Sequence, residues 1–170
     1  MNVSPWVERF GRSVRPPGPV LDVACGDGRH TRWFVSHGYD VVAIDRDLSG
    51  VADLGANARV DLHEADLEDG EPFPAAAASF GAVVVTNYLW RPILDAVVDA
   101  VAPGGWLLYE TFAVGNERLG RPSNPDYLLR DNELLELALR HELTVVAYEN
   151  VQVELPRAAV VARIAARRPA

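Results

Sequence analysis

The sequence predicts an α/β fold: a doubly wound, mostly parallel sheet of seven strands with an antiparallel last strand. Three observations predict it. From Val20 onward short apolar runs alternate with segments of helical spacing, the pattern of a parallel sheet covered on both faces. The first run ends in a glycine-containing turn that opens a helix. The final two runs, about Leu143 to Val153 and Ala158 to Ala166, are separated by a few residues including Pro156. That is too short for a helical crossover, so the last strand must pair antiparallel.

In order, Val20 to Ala24 is a strand, and Arg29 to His37 is a helix with Trp33 and Phe34 at helical spacing. Val41 to Ile44 is a buried strand that stops at Asp45 and Asp47, with a helix predicted around Ser49 to Asn57. A weaker strand runs near Val60 to His63 and ends before Asp66. Ala82 to Thr86 is the most apolar strand, and after Pro92 an amphipathic helix carries Ile93, Leu94, Val97, Val98 and Val101. Pro103-Gly104-Gly105 breaks the pattern, and Trp106 to Thr111 supplies a fifth strand. Near Asp131 to Arg140 a helix has an apolar face of Leu134, Leu135, Leu137 and Ala138, with Asn132 or Asp131 as its expected cap.

The bulk numbers restrict function. A chain of 170 residues reads as one domain, 1–170, and buries roughly 70% of its unfolded surface, so no disulfide or metal is needed for stability. No apolar run reaches the length of a membrane helix, and Glu8 and Arg9 interrupt the N-terminal stretch where a secretory signal would be apolar; the expected location is the cytoplasm. Cys25 is the sole cysteine, and the four histidines show no close-spaced metal pattern, so a metal site is not expected. A formal net charge of −8 disfavours nucleic acid as partner; the arginines Arg163, Arg167 and Arg168 read as a solvated strand end. Lysine is absent, which excludes Schiff-base chemistry and a Walker P-loop.

Ligands of open α/β sheets bind beyond the carboxyl ends of the strands, where strand order reverses. The relevant ends are Asp22 to Gly28, Asp45 to Asp47, Asp66 to Leu67 and Thr86 to Leu89. Gly26 and Gly28 lie between strand and helix, where bare backbone and free amides can meet a ligand. Asp45 follows about twenty residues later, the spacing of a ribose-binding carboxylate, with Asp47 as rival. A dinucleotide fingerprint starting at Gly26 fails at its sixth position, Thr31, which leaves a nucleoside without a pyrophosphate.

The ordered series L-D-V-A-C-G-D-G-R-H, V-V-A-I-D-R-D, E-A-D-L, V-V-V-T-N-Y-L and A-P-G-G-W-L-L-Y-E, covering Val20 to Glu110, resembles the motifs of class I S-adenosylmethionine-dependent methyltransferases. Ala24 stands where many members have the first glycine. The segment from Glu110 to Leu128 is similar to that of small bacterial members, some of them tellurite-resistance methyltransferases. The resemblance implies a Rossmann-like seven-stranded sheet, S-adenosylmethionine as cofactor and S-adenosylhomocysteine as product. It implies that Asp22 fixes the methionine end and its turn, which Ala24, Cys25, Gly26 and Gly28 line. Asp45 would hold the ribose, Arg46 flank the adenine, Asp66 and Leu67 bind the adenine edge, and Asn87 and Tyr88 sit near the sulfonium.

Cys25 reads as a small buried side chain rather than a nucleophile. His30 is either a helix residue or a pocket residue, and Trp6, Arg9 and Phe10 form a short helix that either covers the cofactor or joins the core. Tyr88 and Trp90 are expected near the cationic sulfur, and Glu110 or Tyr88 would serve as base for a hydroxyl or ammonium acceptor. Phe112 to Leu128, with Asn116, Glu117, Arg118 and Arg121, is expected as a mobile polar roof. The acceptor is expected to be a small molecule (thiol, hydroxyl, carboxylate, amine or inorganic oxyanion) and the chain a monomer or homodimer. The rival reading is a nucleoside sensor or a non-catalytic scaffold subunit.

Overall fold

The computed structural model describes residues 2–15 and 18–170. Strands β1 (Val20–Val23), β2 (Val41–Asp45), β3 (Val60–Glu64), β4 (Phe80–Thr86), β5 (Val101–Phe112), β6 (Thr144–Val153) and β7 (Ala159–Arg167) form one sheet in the order β3-β2-β1-β4-β5-β7-β6. Only β7 runs against its neighbours. Order reverses between β1 and β4, which pair in parallel on the side of β1 away from β2.

The helices are α1 (Pro5–Gly11), α2 (Arg29–Ser36), α3 (Leu94–Asp99) and α4 (Glu133–Arg140). Alternation along the central strands sorts the core into two layers. Val83 and Val85 of β4 face Leu94, Val97 and Val98 of α3 and Leu134 and Leu137 of α4. Ala82 and Val84 face Trp6, Val7 and Phe10 of α1 and Phe34 of α2. Packing of α1 is fixed by the Trp6 indole, whose N–H donates to the Ile164 carbonyl at 3.1 Å; the helix belongs to the core.

Three local expectations are corrected. The helix expected around Ser49 to Asn57 is a shorter 3-10 helix, Ser49–Leu54. β5 does not begin after the Pro-Gly-Gly break but runs through it, with a register shift against β4 between Phe80 and Ala82. The bulge absorbs the break: a side chain at Gly105 would lie 2.8 Å from the Phe80 carbonyl and 2.9 Å from that of Ala102. Asn132 precedes α4 in the left-handed conformation with no side-chain cap bond, and Asp131 instead accepts from Asn150. Start-of-helix support comes from Glu133, which accepts the Arg130 amide at 2.8 Å.

Candidate functional site

A cleft of about 430 Å³ opens where the strand order reverses, within the roughly 300–1,000 Å³ typical of small-molecule sites. Its lining includes Ala24, Asp45, Arg46, Asp66, Leu67, Asn87 and Tyr88, all singled out in the sequence, together with Ala65, Glu68 and Tyr127, which were not. A second cleft of about 260 Å³ is lined by Glu68, Asn87, Tyr88, Leu89, Thr111, Phe112, Pro122 and Tyr127. The two meet at Glu68, Asn87, Tyr88 and Tyr127.

Asp45 ends β2 and organises the first turn. Its Oδ2 accepts the Gly26 amide at 2.8 Å and its Oδ1 the Asp47 amide at 3.1 Å. Each carboxylate oxygen keeps a further acceptor direction for a ligand hydroxyl. Asp47 accepts from Ser49 instead and does not line the cleft. Turn amides expected to be free are engaged: Cys25 N–H donates to Ile44 O, Gly26 N–H to Asp45 and Gly28 N–H to Cys25 O. Bare main chain at Gly26 nevertheless faces open space, since an added Cβ would meet no atom within 4 Å. Volume and acidic end together fit an adenosyl group.

Asp22, Cys25, Gly26 and Gly28 do not line the cleft; they shape its floor. Asp22 is 2% exposed, and its Oδ2 accepts both the Thr31 amide at 3.0 Å and the Thr31 hydroxyl at 2.6 Å. Burial pushes its carboxyl up to about 6 despite these bonds. Cys25 packs with Ala43 and Val51, and burial, with Asp22 and Asp45 adding to it, pushes the thiol up to about 12, an inert state. His30 is buried as well, and burial, then Arg29, depresses it to about 3. Neutral His30 accepts the Ser4 amide at 3.3 Å and contacts the Thr86 hydroxyl at 3.4 Å, which ties the entry to α1 to the end of β4.

At the fourth strand end, β5 holds the backbone. Asn87 N–H donates to Glu110 O, and the Tyr109 hydroxyl donates to Tyr88 O, each at 2.9 Å. Ala24 and Asn87 both adopt positive φ, 54° in each case, so the two non-glycine residues flanking the cleft carry backbone strain. The Tyr88 hydroxyl is buried without a hydrogen-bond partner. Burial and then the nearby Glu68 carboxylate raise its titration, which disfavours the phenolate a general base requires. Tyr88→Phe is expected to leave stability unchanged or raise it by about 1 kcal/mol, the scale for relieving a buried unsatisfied hydroxyl; urea unfolding measures it.

Three sequence expectations change here. Glu110 lines neither cleft. Its carboxylate accepts the Ser4 hydroxyl at 2.6 Å and pairs with Arg163 at 3.0 Å, while Arg163 also holds Glu149 and lies over the Trp6 ring. Such a carboxylate fixes α1 to the sheet and has no free edge for an acceptor proton. Trp90 packs against the core rather than the cleft. The roof is anchored: buried Asn116 donates to Pro122 O at 2.9 Å and accepts the Val160 amide at 3.1 Å. Arg91 grips Glu133 and donates to the carbonyls of Asp126 and Leu128, which sets Tyr127 over the cleft.

Glu68 was legible only indirectly. The Asp66 carboxylate accepts the Glu68 amide at 2.9 Å, a turn that residue 66 could have suggested. Tyr127 carried no local signal. Among the described residues no helix is long and apolar enough to cross a membrane, and no group of three or more His, Cys, Asp or Glu could hold a metal.

Sheet order, the antiparallel β7 and the cleft at the reversal define a Rossmann-like methyltransferase fold. A methyltransferase domain family matches residues 20–105, half of the chain. The chain belongs to this family. Methyltransferase str2 of Strobilurus tenacellus is 31% identical over 104 residues, 55% of this chain; the match spans 35% of that curated relative's length. An S-adenosylmethionine-dependent methyltransferase from Mesorhizobium loti superposes with a TM-score of 0.71 at 18% identity, covering 96% of this chain and 98% of that one. The 1,6-didemethyltoxoflavin-N1-methyltransferase of Burkholderia thailandensis, solved with bound 1,6-didemethyltoxoflavin and S-adenosylhomocysteine, superposes with a TM-score of 0.72 at 19% identity, covering 98% of this chain and 77% of that one.

Proposed function

We propose that this chain works as one domain that transfers a methyl group from S-adenosylmethionine to a small-molecule acceptor, with the larger cleft holding the cofactor and the smaller one the acceptor. The observation that carries the reading is the meeting of the two clefts at Asn87 and Tyr88, on the strand end where the order reverses.

When bound, the cofactor supplies an electrophilic methyl group on a sulfonium, so the protein's task is positioning and exclusion of water. Asp45 accepts the ribose hydroxyls. Asp66 and Leu67 border the adenine, with Arg46 along its flank. Ala24 gives the amino-acid end a surface without a bulky side chain, on a turn that Asp22, Cys25, Gly26 and Gly28 keep in shape. Asn87, Tyr88 and Tyr127 separate the sulfonium from solvent, and the faces of the two phenol rings favour its positive charge. Glu110 acts at a distance, as the anchor of α1 and of the Asn87 backbone.

Calorimetry with S-adenosylhomocysteine tests the cofactor site. Asp45→Ala is expected to weaken binding by about 1–3 kcal/mol, the scale for losing charged hydrogen bonds; an unchanged affinity removes the ribose assignment. Release of S-adenosylhomocysteine against a panel of amines, thiols, phenols, carboxylates and tellurite then separates an enzyme from a sensor or scaffold.

A further inference from the structure

We infer that the acceptor cleft selects a small, mainly apolar amine, and that Glu68 makes the selection. The inference rests on the methyl-transfer reading, since it takes the larger cleft as the cofactor's.

Rings and aliphatic carbons dominate the walls, with Tyr88, Leu89, Phe112, Pro122 and Tyr127 on them. The one formal charge among the lining residues is that of Glu68. A volume of about 260 Å³ exceeds the roughly 150 Å³ of a cavity that holds benzene. One ring with a short polar arm therefore fits.

Charge complementarity then fixes the arm. Aromatic faces attract cations, and the carboxylate of Glu68, exposed at the mouth they share, attracts the same groups. A carboxylate, phosphate or inorganic oxyanion would face a like charge with no compensating cation in the lining, which disfavours it. Two guanidiniums near the cleft are engaged elsewhere. Arg91 is bound to Glu133 and to two carbonyls, and Arg157, whose guanidinium carbon lies 5.6 Å from the centroid of the Phe112 ring, donates to the Arg121 carbonyl.

Position makes the selection relevant to transfer. Glu68 borders both clefts, so a group it holds sits at the boundary the methyl must cross. Beside it lies the buried Tyr88 hydroxyl, close enough to the Glu68 carboxylate for that carboxylate to raise its titration. The bound ammonium first gives a proton to the Glu68 carboxylate, which passes it to solvent. The freed lone pair on nitrogen then forms the new bond to the methyl carbon as the carbon–sulfur bond breaks and its electron pair stays on sulfur, and the product leaves as the methylated ammonium.

Three probes of one size test this: benzylamine, benzyl alcohol and benzoate, titrated by nuclear magnetic resonance into the full chain saturated with S-adenosylhomocysteine. Benzylamine is expected to bind about two- to fivefold tighter than benzyl alcohol, the scale of one exposed charge pair, with benzoate weakest. Glu68→Gln preserves size and the backbone amide held by Asp66. It is expected to erase the amine preference while benzyl alcohol still binds, and an unchanged urea unfolding midpoint reports an intact fold. Benzoate binding as well as benzylamine, or an amine preference that survives Glu68→Gln, overturns the inference. Failure of S-adenosylhomocysteine itself to bind removes the methyl-transfer reading and the inference with it; binding of S-adenosylhomocysteine without amine preference removes the inference alone.

Discussion

Gly28→Ala is expected to destabilise the protein by about 2–5 kcal/mol, the sum of a left-handed backbone penalty of about 1–2 and overpacking of about 1–3. Gly28 has φ +69°, and a Cβ there would run into Cγ1 of Val51. Val51 is fully buried against Cys25 and Ala43 on the 3-10 helix that follows β2, so it has little room to withdraw. Gly26→Ala is the matched control. Its φ is +53°, but an added Cβ meets nothing within 4 Å, so only the backbone penalty applies and stability should fall by about 1–2 kcal/mol. Urea unfolding of the two variants isolates the collision. Equal losses would mean that the turn does not press on Val51, and that its shape is set by backbone conformation alone.

The same turn shows what the sequence could and could not convey. Its place between β1 and α2 was legible because local pattern decides it: an apolar run, glycines, then helical spacing. The short link before β7 was legible for the same reason, since chain length alone rules out a crossover. Asp45 was legible through its distance from the turn. Other features depend on partners far along the chain. Nothing near Glu110 indicates that Ser4 and Arg163 will engage its carboxylate, because those contacts span 106 and 53 positions. β5 passing through Pro103-Gly104-Gly105 contradicts local propensity, and only its pairing with β4 and β7 overrides it. Glu68 reads as one acid among several between residues 64 and 71; it becomes a site candidate only when the roof brings Phe112, Pro122 and Tyr127 opposite it.

Asp22→Asn is expected to change how stability depends on pH, by about 2 kcal/mol between pH 4 and pH 7 relative to the parent chain. Burial raises the Asp22 carboxyl from an ordinary 3.8 to about 6, so the folded state holds a proton that the unfolded state has released. Where the folded state binds more protons, stability falls as pH rises, and here that fall begins near pH 4 and is complete above about 6. Asparagine keeps an oxygen for the Thr31 amide and hydroxyl but has no proton to lose, so the variant should match the parent near pH 4 and exceed it at pH 7. Exposed carboxylates lowered by their partners, such as Asp53 beside Arg32, bend both profiles alike and cancel in the difference. Parallel profiles would show that Asp22 titrates normally. The raised carboxyl also predicts a cost to the variant. Arg29 already lowers the Asp22 titration and Asp45 raises it, so a cationic ligand in the adjoining cleft should lower it further. Binding near pH 6 should then release protons from the parent chain but not from Asp22→Asn, and calorimetry with S-adenosylmethionine in buffers of different ionisation enthalpy reads that release. Stability given up at neutral pH is thereby linked to retention of a positively charged cofactor.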